Sequence, residues 1–449
     1  MKRYPKYKPS GVEWIGEIPE GWNKIKLKYI GFLYSGLSGK SGDDFKQINN
    51  PLNKPFIPFT NIANNFKIDP NQLESVAIKE DDNQNQVKQY DLFFMMSSEN
   101  YDDVGKATIL LHNLGTVYLN SFCKGYRIVD KNVYPLFLNF LLFNDAYRRR
   151  MMIEANGFTR INLKMEKVND FLIELPPIEE QTTIAIYLDD KTAKIDTLIE
   201  KKKKLIELLK EERTALIDQS VTRGINPNVK LKPSGIEWLV EIPEHWEVKK
   251  LKYVAKINPT SKNYNFEKDS EEEIIFLPME KVSEDGIINQ DVRKKIIEIS
   301  SGFTYFEKDD IIVAKITPCF ENGKAALLSN LETNFGFGST EFHTLRATEI
   351  VNKQFLYYLL KSARFMTIGE AFMTGSAGQK RIPTDFVKEF ITPIPHIEEQ
   401  HQIVQHIESE TKRIDSTITK IEKEIELLAE YRTALISEIV TGKIKVINN

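Results

Sequence analysis

The sequence predicts an α+β protein built twice over. Two tandem globular domains are each followed by a long α-helix, and the two helices pack as an antiparallel coiled coil with pseudo-two-fold symmetry. Three observations predict this. The stretch from Pro176 to Thr222 returns from Pro395 to Thr441 at a constant offset of 219, so that Glu180 answers Glu399 and Thr214 answers Thr433. The segment KPSGVEWIGEIPEGWNKIKLKYI, Lys8 to Ile30, returns from Lys232 to Val254 at an offset of 224. Between these repeats the order of apolar runs is kept while the polar loops differ.

The repeated stretches read as helices. Pro176 and Pro177 can lead into a helix but not sit inside one, and Glu179–Glu180 suits its positive N-terminal end; no Pro or Gly follows until Gly224. Leu188, Ile195, Leu209 and Leu216 fall on one heptad position, interrupted by Lys202, and Leu198 and Leu205 fall on the other. The second copy carries Ile407, Ile414, Ile421, Leu428 and Leu435, with Tyr431 alongside. Some 40 residues at ~1.5 Å rise make a rod of roughly 60 Å. Lys201 to Lys204 read as a solvated helix face. If the apolar seams face each other, the second rod runs back along the first. That sets one globular domain at each end, a symmetry suited to gripping two separated sites on a duplex.

Composition sets bounds. The 449 residues are 41% hydrophobic and 28% charged, with a net charge of −3, enough chain for two or three domains. No apolar run approaches a membrane span, and MKRYPKYKPS lacks the apolar core of a signal peptide, so the expected location is the cytoplasm. Cys123 and Cys319 stand alone and are expected to be small buried hydrophobes rather than a disulfide or zinc ligands. Any nucleic-acid binding must come from local patches, because bulk charge offers no attraction.

Within the first domain, YDLFFMMSS from Tyr90 reads as a strand, followed by a polar loop, GKATIL from Gly105 and a helix from Leu136 to Met152. The loop GFTRINLK, Gly157 to Lys164, comes next. The second domain keeps the order, with Asp91 answered by Asp310 and Gly105 by Gly323. Its counterparts are KDDIIVAKITPCFENGKAAL, GFGSTEFHTLR, QFLYYLLKSARFM and GSAGQKRIPTDFVKEF. Trp14 and Trp22 read as structural anchors. Catalytic motifs are missing. SGLSGKS has Tyr34 where a phosphate-binding loop needs its first Gly, FGFGS at Phe335 reads as an ordinary turn, and the E-x-K at Glu247 has no counterpart in the first copy.

The doubled PxIEEQ helices with ERTALI or EYRTALI, the doubled PSGxEWxxEIPExW segments, and ITPCFENGKAAL followed by GFGSTEFHTLR resemble the specificity subunit of type I restriction-modification systems. The resemblance covers essentially the whole chain. It implies a target recognition domain at 1–175, a helical spacer at 176–225, a second recognition domain at 226–394 and a second spacer at 395–449. It implies double-stranded DNA with a bipartite target as ligand, two methyltransferase subunits docked on the rods, and restriction (translocase and nuclease) subunits joining them. The chain itself is then not an enzyme and needs no cofactor or metal.

Base edges in the major groove call for forked or bidentate side chains, and phosphates for Lys and Arg. In the first domain the candidates are Ser97, Ser98, Lys106, Lys124, Arg160, Asn162 and Lys164. In the second they are Lys315, Thr317, Lys324, Ser339, Thr340, Glu341, Gln379, Lys380 and Arg381. The rival expectations are a structural coiled-coil adaptor that reads no DNA and a self-contained restriction-modification enzyme.

Overall fold

Both long periodic stretches are helical, Ile178–Arg223 and Ile397–Val440. The structure is a computed structural model and describes residues 2–45, 49–261, 267, 270–376 and 378–446. Each rod has two glutamates in its first turn, where they complement the helix dipole. Each is followed by a glycine in the left-handed region, Gly224 at φ +77° and Gly442 with its preceding Thr441 at φ +72° for the glycine, a geometry that a side chain would penalise.

The chain forms two compact units, residues 1–202 with 423–449, and residues 203–422. Each unit therefore contains half of each rod. In the first unit Arg432 bonds Asp196 at 2.8 Å and Lys202 pairs with Glu424, so the numbering rises along one helix as it falls along the other. In the second, Arg213 faces Asp415 at 3.6 Å while Val221 shares a core with Ile403, Val404 and Ile407. Both half-pairs are antiparallel, as the sequence predicts. The pair of Lys202 with Glu424 also accounts for the break in the heptad.

The seam is narrower than the heptad reading predicts. Leu188, Ile195 and Leu209 are buried, but Leu198 and Leu205 on the other expected position are 42% and 44% exposed, and Tyr431 is exposed too. A lone helix pair covers one stripe on each helix, so the second apolar position is left partly exposed.

The globular parts share one framework. A four-stranded antiparallel sheet in the first unit has the order Gly31–Ser35, Cys123–Ile128, Leu92–Met95, Ala107–Ile109. Its counterpart in the second has the order Ala255–Ile257, Phe342–Ala347, Ile311–Ala314, Ala325–Leu327. A second sheet, three-stranded in the first unit and four-stranded in the second, is built on a parallel pair: Tyr118–Leu119 with Asn53–Ile57, and Phe335–Gly338 with Glu273–Leu277. The strand entering each rod, Leu172–Leu175 or Ile391–Ile394, pairs with Asn23–Lys26 or Glu247–Lys250 from the repeated opening segment. Trp22 and Trp246 are fully buried anchors of the two main cores, whereas Trp14 and Trp238 are half-buried.

Three expectations need correction, the first being FGFGS, which is no turn: Phe335–Gly338 is a buried strand. The helix predicted over Leu136 to Met152 is two helices, Pro135–Phe143 and Asp145–Ile153. Asn144 breaks it, with extended backbone and a side chain that accepts from the Ala146 N–H, so the residue caps the second helix rather than continuing the first. Ser362 does the same between Lys353–Leu360 and Ala363–Ala371. Cys123 is buried, but Cys319 is only half-buried.

The repeated IEEQ motif has a structural purpose in its last residue. Gln181, buried in the first turn of its rod, accepts from the Tyr134 N–H and donates to the carbonyls of Asn132 and Pro176 at 2.8–2.9 Å. Gln400 repeats this with the Asn352 N–H and the carbonyls of Ile350 and Pro395. Each amide thus ties its rod to the loop that opens the helix pair of its own domain, satisfying groups that burial would otherwise strand.

Candidate nucleic-acid interface

In each unit the chain leaves the central strand of the main sheet, crosses a polar loop, and meets a second loop that returns from the helix pair. In the second unit this brings five of the candidates together. Ile316 forms a bridge with Arg381, the Thr317 N–H donates to the Lys380 carbonyl at 3.0 Å, and the Lys315 N–H donates to the Glu341 carbonyl at 2.9 Å. The Arg381 guanidinium grips Glu341 with two parallel bonds of 2.9 Å. Glu341 holds its carboxyl below the usual range through that bond, and the same contact raises Arg381. The result is a charged, planar fork at the surface, backed by the buried His343. The His343 Nε2 donates to the Ile382 carbonyl at 3.0 Å and its Nδ1 accepts from the Asn258 amide at 3.2 Å, an arrangement of the neutral ring. Burial lowers the pKa of His343, in the same sense.

Ser339, Thr340 and Glu341 form a tight turn beside this fork, with Ser339 Oγ accepting from the Glu341 N–H at 3.2 Å. Thr340, Gln379 and Lys380 are exposed. Lys324 is directed elsewhere, to the Met279 carbonyl at 3.2 Å.

The first unit repeats the meeting of loops with other residues. Ser97–Ser98 pairs antiparallel with Ile161–Asn162, which joins Ser97, Ser98 and Asn162. Arg160 lies over the ring of Phe122 at 4.7 Å, and Lys124, two residues on from Phe122, donates to Ser35 Oγ at 2.9 Å. Lys164 is exposed at the start of the short helix Met165–Asn169, while Ser98 is buried. Lys106 reaches the Ala63 carbonyl at 3.0 Å and Asp103 at 2.6 Å. It therefore plays the part that Lys324 plays in the other unit, holding the short helix that follows the strand Asn53–Ile57 as Lys324 holds the one that follows Glu273–Leu277.

Two residues escaped the sequence reading. Phe158 is fully exposed at the tip of the loop closed by the bridge between Asn156 and Asn162, and Phe122 supports Arg160 beside it. The signal was present: an aromatic between Gly157 and Arg160 in a polar loop has no core to serve. In a duplex major groove an exposed Phe can contact a thymine methyl and a neighbouring Arg can reach guanine or a phosphate. Among the described residues no cluster of His, Cys, Asp or Glu is arranged to hold a metal ion, and no helix is long and apolar enough to cross a membrane.

The fold and these loops define a duplicated protein in which one scaffold presents two different polar surfaces. Residues 19–208 and 243–427 match the family described as the type I restriction modification DNA specificity domain, and the chain belongs to that family. It is similar to the type I restriction enzyme EcoEI specificity subunit of Escherichia coli, 33% identical over 267 residues covering 59% of this chain and 42% of that subunit. The EcoAI specificity subunit of Escherichia coli is 37% identical over 203 residues, covering 44% of this chain and 33% of that one. The chain thus spans less than half the length of these two relatives. The putative MjaX specificity subunit of Methanocaldococcus jannaschii is 26% identical over 464 residues, 96% of each chain. Among solved structures, the HsdS subunit from Thermoanaerobacter tengcongensis superposes with a TM-score of 0.57 at 15% identity, covering 95% of this chain and 98% of that one. A chain from a study of complex assembly and conformational transition of the type I R-M system gives 0.70 at 14% identity, covering 95% and 99%. These likenesses show the fold.

Proposed function

We propose that this chain is the DNA-recognition subunit of a type I restriction-modification complex, located in the cytoplasm. Each recognition domain, 1–175 and 226–394, reads one half of a bipartite target. The helical spacers, 176–225 and 395–449, set the separation of the halves and dock two methyltransferase subunits, which restriction subunits join. Methyl transfer, translocation and cleavage belong to those partners, and this chain contributes specificity without catalysis or a cofactor.

One observation carries the reading. The same framework occurs in both units, and the same pair of loops meets in each, but the side chains displayed there differ: Arg381, Glu341 and Lys380 in one, Arg160, Asn162 and Phe158 in the other. A shared scaffold with divergent loop chemistry suits two different half-sites. Arg, Glu and Asn are side chains that read base edges, while Lys124, Lys164 and Lys315 suit phosphates. A purely structural adaptor would have no use for this divergence.

The test is methylome sequencing of cells expressing the chain with its methyltransferase partner, which should reveal one bipartite motif. Modularity makes a sharper prediction. Arg381→Ala should weaken discrimination at a base pair in one half of the motif by about 1–3 kcal/mol, roughly five- to 150-fold. Phe158→Ala should weaken only the other half. Equal loss in both halves from either substitution would refute independent readers.

A further inference from the structure

An arginine side chain carries five N–H donors in one plane, and three of those on Arg381 are committed. The Nε–H and one Nη2–H go to the two oxygens of Glu341, at 2.9 Å each, and one Nη1–H goes to the Gln379 carbonyl at 3.3 Å. One N–H on Nη1 and one on Nη2 are left, side by side on the far edge of the plane. Among the described residues no group takes them. The Arg381 side chain is 43% exposed and that of Glu341 24%, so the pair lies at the surface with the carboxylate as its more covered partner.

The backbone beneath this fork is fixed from two sides. The Arg381 N–H donates to the Thr374 carbonyl at 2.8 Å and the Arg381 carbonyl accepts from the Thr374 N–H at 3.0 Å, while the Ile382 N–H donates to the Lys315 carbonyl at 2.8 Å. Glu341 is tied into the same ladder, its carbonyl accepting from the Lys315 N–H and its own N–H donating to Ser339 Oγ. Both partners are therefore held before any ligand arrives. Stability does not ask for the pair, since an ion pair this exposed adds little. The first unit does without it: Arg160, at the same meeting of loops, lies on the Phe122 ring at 4.7 Å and has no ion pair among the described residues.

We infer that Arg381 reads a guanine, donating from Nη1 and Nη2 to its N7 and O6, and that Glu341 is a positioning residue that holds the guanidinium plane and takes no base itself. This rests on the function proposed above and names one base in the half-site of the second domain. Two parallel donors need two adjacent acceptors. In the major groove only guanine offers them: adenine sets a donor beside its N7, thymine a methyl beside its O4, and cytosine presents a donor. A phosphate also has paired oxygens, but it is drawn by charge, and Glu341 cancels the charge of Arg381 while leaving its donor geometry intact. A neutralised fork suits a base edge.

The experiment uses the full chain assembled with its methyltransferase subunit, and synthetic duplexes carrying the bipartite motif. Each guanine is replaced in turn by 7-deazaguanine, which pairs normally but lacks the N7 acceptor. At one guanine of one half-site the replacement should lower affinity about fivefold or more, and Arg381→Ala should be indifferent to it. In the methylome Arg381→Ala and Arg381→Lys should both relax that G·C pair, because an ammonium group presents no planar fork. Glu341→Ala should relax the same pair, and Glu341→Gln should relax it less. Binding of Glu341→Ala to unrelated DNA should hold or rise, since a cation is released, whereas a structural defect would lower both. Relaxation at an A·T pair, a wild type indifferent to 7-deazaguanine at every guanine, or an equal loss on all sequences from Arg381→Ala, the mark of a phosphate contact, would each overturn the assignment and leave the function standing. A wild-type assembly that yields no bipartite motif would overturn both.

Discussion

Asp91→Ala should destabilise the first unit by about 3–5 kcal/mol, the cost of breaking a buried ion pair by removing one partner. Asp91 is fully buried just before the inner strand Leu92–Met95 of the main sheet and receives the Arg127 guanidinium through Nε at 2.9 Å and Nη2 at 2.7 Å. It also accepts from the Tyr34 hydroxyl at 2.6 Å and the Lys88 N–H at 2.8 Å. Without it, four donors lose their acceptor, and Arg127 keeps only the Gln86 carbonyl at 2.9 Å and the face of the Tyr34 ring.

The same fork recurs in the second unit, where Arg346 holds Asp310 at 2.7 and 2.8 Å. Burial pushes the Asp310 carboxyl above its usual range, and the bonds from Arg346 and the Glu307 N–H work against that shift. Arg346 has a second acid, Glu307 at 2.6 Å, so Asp310→Ala leaves its charge partly compensated. The expected order is therefore a larger loss for Asp91→Ala than for Asp310→Ala. Urea unfolding of each variant checks it, and the reverse order would show that Glu307 contributes nothing. In cells, each variant should lose the half-motif of its own unit first.

Glu174→Gln should stabilise the protein at pH 8 by about 3 kcal/mol and change nothing at pH 4.5. Glu174 lies on the strand that enters the first rod, fully buried, and accepts from the Tyr147 hydroxyl. Its other oxygen has no hydrogen-bond partner. Burial pushes its pKa up to about 7 from an ordinary 4.5, against the opposing pull of Tyr147 and Lys24. The sign follows from proton binding. Between pH 4.5 and 7 the folded state keeps a proton that the unfolded chain has released, so stability is full below pH 4.5 and is lost as pH rises through 7. Glutamine has no proton to lose and keeps an acceptor for Tyr147, so the slope should vanish. Denaturation midpoints measured from pH 4 to 8 decide the matter, and parallel curves for the two proteins would remove this carboxyl as the cause. The second unit has Pro393 and Phe365 at the equivalent positions, an apolar solution to the same packing problem.

Much of this was legible in the chain. The rods announce themselves because a period near 3.5 sustained without Pro or Gly has one backbone solution. The duplication was visible because Trp22 and Trp246, Gln181 and Gln400, and Asp91 and Asp310 recur at nearly fixed offsets. Even so, the sequence did not say why Gln181 recurs, since its three partners lie in residues 132–134 and at Pro176, brought near only by the fold.

The candidate interface was half legible. Residue type singled out Arg381 and Glu341, which stand 40 positions apart and meet in a bidentate pair. Type alone also singled out Lys106 and Lys324, whose ammonium groups turn to the backbone carbonyls of Ala63 and Met279. A lysine in a loop looks the same in sequence whether a phosphate or a carbonyl neutralises it.

Local rules determined where helices start and stop, that two domains share a framework, and that their loops diverge, because caps, periodicity and repetition are written in neighbouring residues. Tertiary structure alone decided which heptad stripe is covered and which cations are spoken for. Those outcomes depend on what lies across space, and distance along the chain carries no record of it.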